Sequence, residues 1–309
     1  MWIEKQIQRF LGEPLAAYAS SATIAPKRVG EVSNDRSAVV GKNGWCFIYE
    51  GSNNYRGAYH DVGLAPLGDQ WARLIEQRQR KCEALGVRFV QLIVPNKATL
   101  MPENFPEPLG AGVTNMLHRL LEATPTANFL CPVEEMRNPV VRDYVFRRND
   151  THLTLVGNAM LVVLLLAAVG VDPVSIPCIE TTRCNHTGDL GSKFAEPISE
   201  WFCAPKFDVG LLDQRCIEKT HEIVVDGFNG TRQSFHNPWA PFKQRLLVFG
   251  NSFFERTPSW GMSPIFAALF EEFHFIWTPD FDEACAVTLE PDIIICQTCE
   301  RFMIRLPTS

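Results

Sequence analysis

Two short stretches of this 309-residue chain hold residue types that can do acyl-transfer chemistry together. One is Gly250-Asn251-Ser252, directly after the apolar run Leu246-Leu247-Val248-Phe249; the other, earlier in the chain, is Asp150-Thr151-His152. A serine hydroxyl is a poor nucleophile at neutral pH. It becomes a good one when a neutral imidazole can take its proton, and an aspartate on the other ring nitrogen fixes the tautomer and stabilises the imidazolium. Asp150 and His152 are two residues apart, and in an extended segment such residues point the same way. Ser252, His152 and Asp150 are therefore the candidate catalytic triad. The backbone N–H of Ser252 and a side-chain amide, Asn251 or Asn96, are candidate oxyanion donors. The plainer alternative is a turn or cap serine together with a solvated, helix-capping Asp-x-His loop.

The elements around these stretches suit the chemistry. Residues 246–249 read as a short buried strand of a parallel sheet that Gly250 ends. Ser252 then falls just past a strand's carboxyl end, where open α/β sheets bind ligands. Thr154 predicts the N-cap of a helix over 155–170, which sets Asp150 and His152 on the loop before a rigid element. Trp71, Leu74, Ile75, Cys82 and Leu85 recur at helical spacing, Gly86 closes that helix, and the apolar run 87–94 follows as a strand ended by Pro95-Asn96-Lys97. Further helices are expected over 112–123, 264–273 and 300–306, and strands over 128–133, 143–146, 275–277 and 291–296. Asn43-Gly44 between apolar runs predicts a hairpin, and so does Gly227-Phe228-Asn229-Gly230 within 222–235. The order of helices and strands gives an α/β chain. Residues 1–35, opening with an amphipathic helix, read as an N-terminal arm, and 36–306 as one domain with an insertion around 175–240. The polar loop 52–62, with Asn53, Asn54, Tyr55, Tyr59 and His60, carries side chains suited to a sugar.

Composition narrows the function. A net charge of −6 and the lack of a basic cluster argue against a nucleic-acid partner. Arg147-Arg148 reads as a solvated surface pair. The apolar run 160–169 is shorter than the ~20 residues a bilayer span needs, so it reads as a core helix and no transmembrane segment is expected. No secretory leader pattern opens the chain, which favours the cytoplasm. The ten cysteines read as free thiols of a reducing compartment. Cys296-x-x-Cys299 lacks the second pair that zinc would want, and Cys178, Cys184 and His186 match no closed site. Neither a metal nor a cofactor is expected.

Several short motifs, in order, resemble the AlgX/AlgJ-type SGNH-hydrolase-like domains of the alginate O-acetyltransferase family. They are Gly41-Lys42-Asn43-Gly44-Trp45, Val94-Pro95-Asn96-Lys97, Asp150-Thr151-His152-Leu153-Thr154 with Gly157, Gly188-Asp189-Leu190, Gly250-Asn251-Ser252-Phe253, and Pro291-Asp292-Ile293-Ile294 with Glu300-Arg301. They span about 40 to 302, nearly the whole chain. The resemblance implies a three-layer α/β/α sandwich with a mostly parallel sheet. The Asp-His pair precedes the serine, the reverse of ordinary SGNH hydrolases. It implies a Ser252–His152–Asp150 triad, with Asn251, Asn96, Lys97, Asp189 and Arg301 as oxyanion or substrate-binding residues. It also implies transfer of acetyl groups from a donor to hydroxyls of a polysaccharide, in partnership with a membrane-bound acyltransferase, and a periplasmic location as the alternative to the cytoplasm. Two positions depart from the family pattern: Asn251 stands where it has Asp, and Leu153 where it has Trp. A carbohydrate esterase with the same triad, and a catalytically silent carbohydrate-binding domain, are the competing functions.

Overall fold

The computed structural model describes residues 2–23, 28–51, 55–110, 112–123, 128–173, 181–205, 217–254 and 261–309. Its strands are β1 Ser21–Thr23, β2 Ala38–Val40, β3 Cys46–Ile48, β4 Arg88–Val94, β5 Phe129–Leu130, β6 Thr181–Thr187, β7 Ser199–Pro205, β8 Glu218–Ile223, β9 Arg232–His236, β10 Phe242–Gly250, β11 Phe270–Trp277 and β12 Ile293–Cys299. The central sheet has the order β5-β4-β12-β10-β11-β9-β8. It is parallel from β5 to β11, and β9 and β8 add an antiparallel edge.

The middle strands are apolar on both faces because both faces are covered. Val90, Leu92, Val94, Leu246, Val248, Ile293 and Ile295 share one core with the helix Leu155–Ala168 and the first helix, Trp2–Leu11. Phe89, Ile93, Leu247, Phe249, Ile294 and Cys296 share the other with the helices Pro66–Ala84, Asn115–Glu122 and Glu283–Leu289. The fold is thus the three-layer α/β/α sandwich with a mostly parallel sheet. Ile3, Ile7, Phe10 and Leu11 are buried, so the opening helix is part of the core. β6 and β7 form a separate sheet with β1. No helix among the described residues is long and apolar enough to cross a membrane.

Three elements differ from the sequence expectation. Residues 143–146 are not a strand. The turn Arg142–Val145 is helical because the Arg142 N–H bonds back to Asn138 O at 2.8 Å, and only Phe146 makes an isolated bridge, to Leu153. The helix expected over 264–273 stops at Leu269, since Phe270, Phe273 and Phe275 belong to β11, which is longer than 275–277. Clustered aromatics favour a strand packed on a sheet over a continued helix. The terminal helix is a single tight turn, Glu300–Phe302, because the Glu300 carboxylate is drawn into the interior beneath it.

Candidate active site

The loop that carries Asp150 and His152 is gripped at both ends. Thr154 accepts from the Gly157 N–H at 3.2 Å, capping the Leu155–Ala168 helix, and its own N–H reaches Val145 O at 2.9 Å. The Arg147 N–H bonds to His152 O at 3.2 Å, which closes the segment into a narrow loop. The Asn43-Gly44 hairpin pairs β2 with β3, and both residues adopt positive φ, as a tight reversal requires. That hairpin props the loop: Cys46 N–H bonds Arg148 O at 2.8 Å, and the Arg148 guanidinium bonds Asn43 O at 2.6 Å over the Trp45 ring. From the other side, the buried Glu200 carboxylate accepts the N–H groups of Arg148 and Asn149 at 3.0 and 3.3 Å.

On this support Asp150 and His152 form a tight pair. Asp150 Oδ1 lies 2.7 Å from His152 Nδ1 and also accepts the His152 backbone N–H at 2.8 Å. Its other oxygen takes Arg147 Nη1 at 3.2 Å and the Asp189 N–H at 3.3 Å. Burial pushes the Asp150 carboxyl up, but the Arg147 cation and the His152 contacts outweigh it and hold the group well below its usual range. Arg147 is therefore not the solvated surface residue expected. It is 3% exposed, donates to Leu153 O at 3.2 Å and lies over the Phe202 ring. A lone buried carboxylate would be costly, and the arginine three residues earlier neutralises it.

Asp189 stands beside the pair. Its carboxylate takes the Thr151 N–H at 2.7 Å and the Thr151 hydroxyl, and lies 3.7 Å from His152 Nδ1. Gly188 makes that approach feasible, since a Cβ there would stand 2.3 Å from Asn149 O and 2.6 Å from the Asp150 Cβ. Asp150, His152 and Asp189 bring potential metal-ligand atoms within 4.8 Å of one another. Each carboxylate is already engaged by protein donors, and a cation there would compete with the Arg147 guanidinium, so the donor set fits a hydrogen-bonded dyad better than an ion. His186, which sequence considered only as a metal ligand, lies 3.8 Å from Asp150 Oδ2. Burial and Arg147 lower its tendency to be protonated.

Ser252 lies where β10 ends, as its strand-end position requires. The Asn251 N–H is held by Gln297 Oε1 at 3.0 Å, and Asn251 Oδ1 accepts the Phe253 N–H at 3.3 Å. The neighbouring Phe253 ring packs on His152, centroids 5.6 Å apart, which joins the two candidate stretches. His152 Nε2 is buried and has no hydrogen-bond partner among the described residues, Ser252 included. The Arg301 guanidinium sits over Phe253 and Phe302, at 5.6 and 4.9 Å from the ring centroids.

The remaining expected residues lie lower. Asn96 is buried; its N–H bonds Glu300 Oε2 at 2.8 Å and its amide faces Tyr59 at 3.4 Å. Lys97 is 5% exposed, and its ammonium is spent on Cys46 O and Arg148 O at 2.9 and 3.1 Å. Burial lowers the Lys97 pKa to about 8. Lys97 thus ties the hairpin to the Asp150–His152 loop from beneath. Tyr55 and Tyr59 are buried and bonded to each other, and Tyr59 also to Thr99; of the two, Tyr55 borders the smaller of two clefts at this site. Asn53, Asn54, Cys178 and Cys216 lie outside the described residues. Cys296 and Cys299 belong to opposite cores, as residues three apart on a strand must.

Two clefts border the residues of this site. One, of about 370 Å³, is lined by Gly250, Asn251, Trp277, Gln297 and Phe302. The other, of about 240 Å³, brings Asp189 and Arg301 together with Tyr55 and Lys193. Neither Gln297 nor Arg147 was singled out from sequence as functional. The signals were an amide inside an otherwise apolar strand and an arginine three residues before the aspartate.

The sheet order and its two covering layers match an SGNH-hydrolase-like fold, as likeness to solved structures bears out. No family model matches the chain, and no curated protein matches it. Among solved structures, it is similar to the O-acetyltransferase domain of Pseudomonas putida AlgJ, with TM-score 0.53, 16% identity, and coverage of 88% of this chain and 94% of that one. It is also similar to Bacillus cereus PatB1 with a sulfonyl adduct, with TM-score 0.52, 11% identity, and coverage of 86% and 96%. At these identities the likeness is one of fold.

Proposed function

We propose that the chain is an O-acetyltransferase that carries an acetyl group on Ser252 and passes it to a hydroxyl of a polysaccharide or glycan precursor. The observation that carries this is the Asp150–His152 pair. Nδ1 of the imidazole is engaged by the carboxylate, and Nε2 is buried, unpartnered and close to the residue after Ser252. With Nδ1 protonated against Asp150, Nε2 carries the lone pair a base needs. In the first half-reaction Ser252 Oγ bonds to the acetyl carbon and its proton passes to Nε2. The donor's C–O bond breaks, and the leaving oxygen takes that proton. In the second half an acceptor hydroxyl attacks the acetyl-serine carbon and gives its proton to Nε2. Ser252 Oγ leaves and recovers a proton, so the site returns unchanged. The Ser252 N–H and the Asn251 amide are the oxyanion donors of this scheme, since the Asn251 N–H is already used.

The fold shared with a domain named as an O-acetyltransferase supports acetyl as the group moved. The sulfonyl adduct on PatB1 supports a nucleophile, because sulfonyl groups attach to activated ones. An acetyl donor served by a membrane-bound acyltransferase belongs to the same proposal. A second reading, a silent carbohydrate-binding domain, is favoured by one fact: no hydrogen bond joins Ser252 to His152. Catalytic hydrogen bonds are often long before substrate binds, so that fact does not remove the base. The test is acetyl release from 4-nitrophenyl acetate, with and without added polysaccharide, wild type beside Ser252→Ala. Acetylated glycan formed only by the wild type supports the proposal. Release without transfer makes the protein an esterase, and release at the buffer rate supports the silent domain.

A further inference from the structure

The cleft of about 370 Å³ lies at the carboxyl ends of β10, β11 and β12, the position where open α/β sheets take ligands. Gly250 and Asn251, directly before Ser252, form part of its wall. One lining residue, Gln297, is 3% exposed, and its two amide atoms differ in state. Oε1 accepts the Asn251 N–H at 3.0 Å, which fixes the side chain; Nε2 is buried with no hydrogen-bond partner among the described residues. A buried N–H group left unpaired is unfavourable, and a ligand oxygen is what would satisfy it.

We propose that this cleft binds a neutral sugar ring of the acceptor, with the Gln297 amide NH₂ as its hydrogen-bond donor. The inference rests on the acetyltransferase reading, which supplies a sugar hydroxyl as acceptor. The lining pairs aromatic faces, Trp277 and Phe302, with the neutral polar groups of Gln297, Asn251 and Thr298. Apolar ring faces and a few convergent neutral donors match the two chemical surfaces of a pyranose. Trp277 is already held by stacking on Phe228, centroids 5.0 Å apart, so no ordering is needed to present it. The lining of this cleft carries two charged groups: the Asp280 carboxylate, engaged by the Thr308 N–H and hydroxyl at 2.7 and 2.8 Å, and the exposed Arg305 guanidinium. The 240 Å³ cleft, by contrast, is lined by Glu50, Asp189, Lys193 and Arg301. With one engaged carboxylate and one exposed arginine against four charged groups, the larger of these two clefts suits the neutral ring better.

The test uses the full chain labelled with nitrogen-15 and titrated with methyl β-D-glucopyranoside at millimolar concentrations. The side-chain amide resonance of Gln297 is identified as the one that Gln297→Glu removes. Saturable shifts of that resonance and of the Trp277 indole N–H are expected. The Gln297→Glu variant keeps an oxygen for Asn251 but lacks the donor, so sugar affinity, followed at Trp277, should fall about tenfold. Unchanged Gln297 and Trp277 resonances in the wild type, or equal affinity in the variant, overturn the proposal. A parallel mass measurement of Ser252 labelling by phenylmethanesulfonyl fluoride separates the two claims. Labelling without the resonance shifts sinks the sugar site and leaves the acetyltransferase reading standing. Shifts without labelling do the reverse.

Discussion

Removing Arg147 tests the electrostatic design of the site. Its Nη1 lies 3.2 Å from Asp150 Oδ2, with both side chains 4% exposed. At an effective dielectric near 20, that separation is worth about 5 kcal/mol of attraction. Breaking a buried pair by removing one partner typically costs ~3–5 kcal/mol, because the other charge is left uncompensated. Arg147→Met should therefore lose about that much in urea denaturation at neutral pH. Asp150→Asn on top of it should restore part, with a coupling of about 2 kcal/mol or more between the two sites. The pH dependence has a definite sign. The folded-state Asp150 carboxyl is held well below its ordinary value of 3.8, so its contribution is full above that value and is lost as pH falls through the folded one. The gap between wild type and Arg147→Met should thus narrow below pH ~4. Two single effects that simply add, within ~0.5 kcal/mol, or a gap that is constant with pH, would refute the pairing.

Other substitutions probe the supports. Gly188→Ala places a Cβ 2.3 Å from Asn149 O, so it should cost ~1–3 kcal/mol and lower acylation as Asp150 is displaced, read by a thermal melt beside a burst assay. Thr154→Ala removes the helix cap and should cost about 1 kcal/mol in urea denaturation. Lys97→Met takes the Lys97 donor from the buried Cys46 O, while Arg148 O keeps the Cys46 N–H, and should destabilise at pH 7 by roughly 1–3 kcal/mol. The wild-type Lys97 has its pKa lowered from 10.5 to about 8, so it binds fewer protons folded than unfolded between those values. Its own contribution to stability should therefore improve as pH rises from about 8 to 10.5, a slope that Lys97→Met removes.

The frame was legible where residues repeat one instruction. The strand before Ser252, the strand before Asn96 and the 155–168 helix are long apolar runs with clear stops, and a run buried on both faces needs no partner to declare itself. The short elements were not. Residues 143–146 have the composition of a strand, yet backbone bonds to Asn138 and Val141 wind the segment into a turn. Residues 270–273 carry on a helical-looking apolar pattern, yet their aromatics are claimed by the sheet. Arg147 misled because an arginine's type suggests water, while its burial depends on a carboxylate whose own burial sequence does not display. Gln297 was overshadowed by the flanking cysteines, although a lone amide within Ile-Ile-Ile-Cys-Gln-Thr-Cys is the more informative residue. Asp150 and His152 could be paired from their spacing; that Asp189 joins them depends on a tertiary contact through Gly188.

The most direct measurement is intact-mass analysis with peptide mapping after incubation with an activated acetyl ester, wild type beside Ser252→Ala and His152→Gln. One added acetyl on Ser252, absent from Ser252→Ala and at least ~10³-fold slower in His152→Gln, is the predicted result. No adduct on Ser252 in the wild type, or equal labelling in His152→Gln, would contradict it.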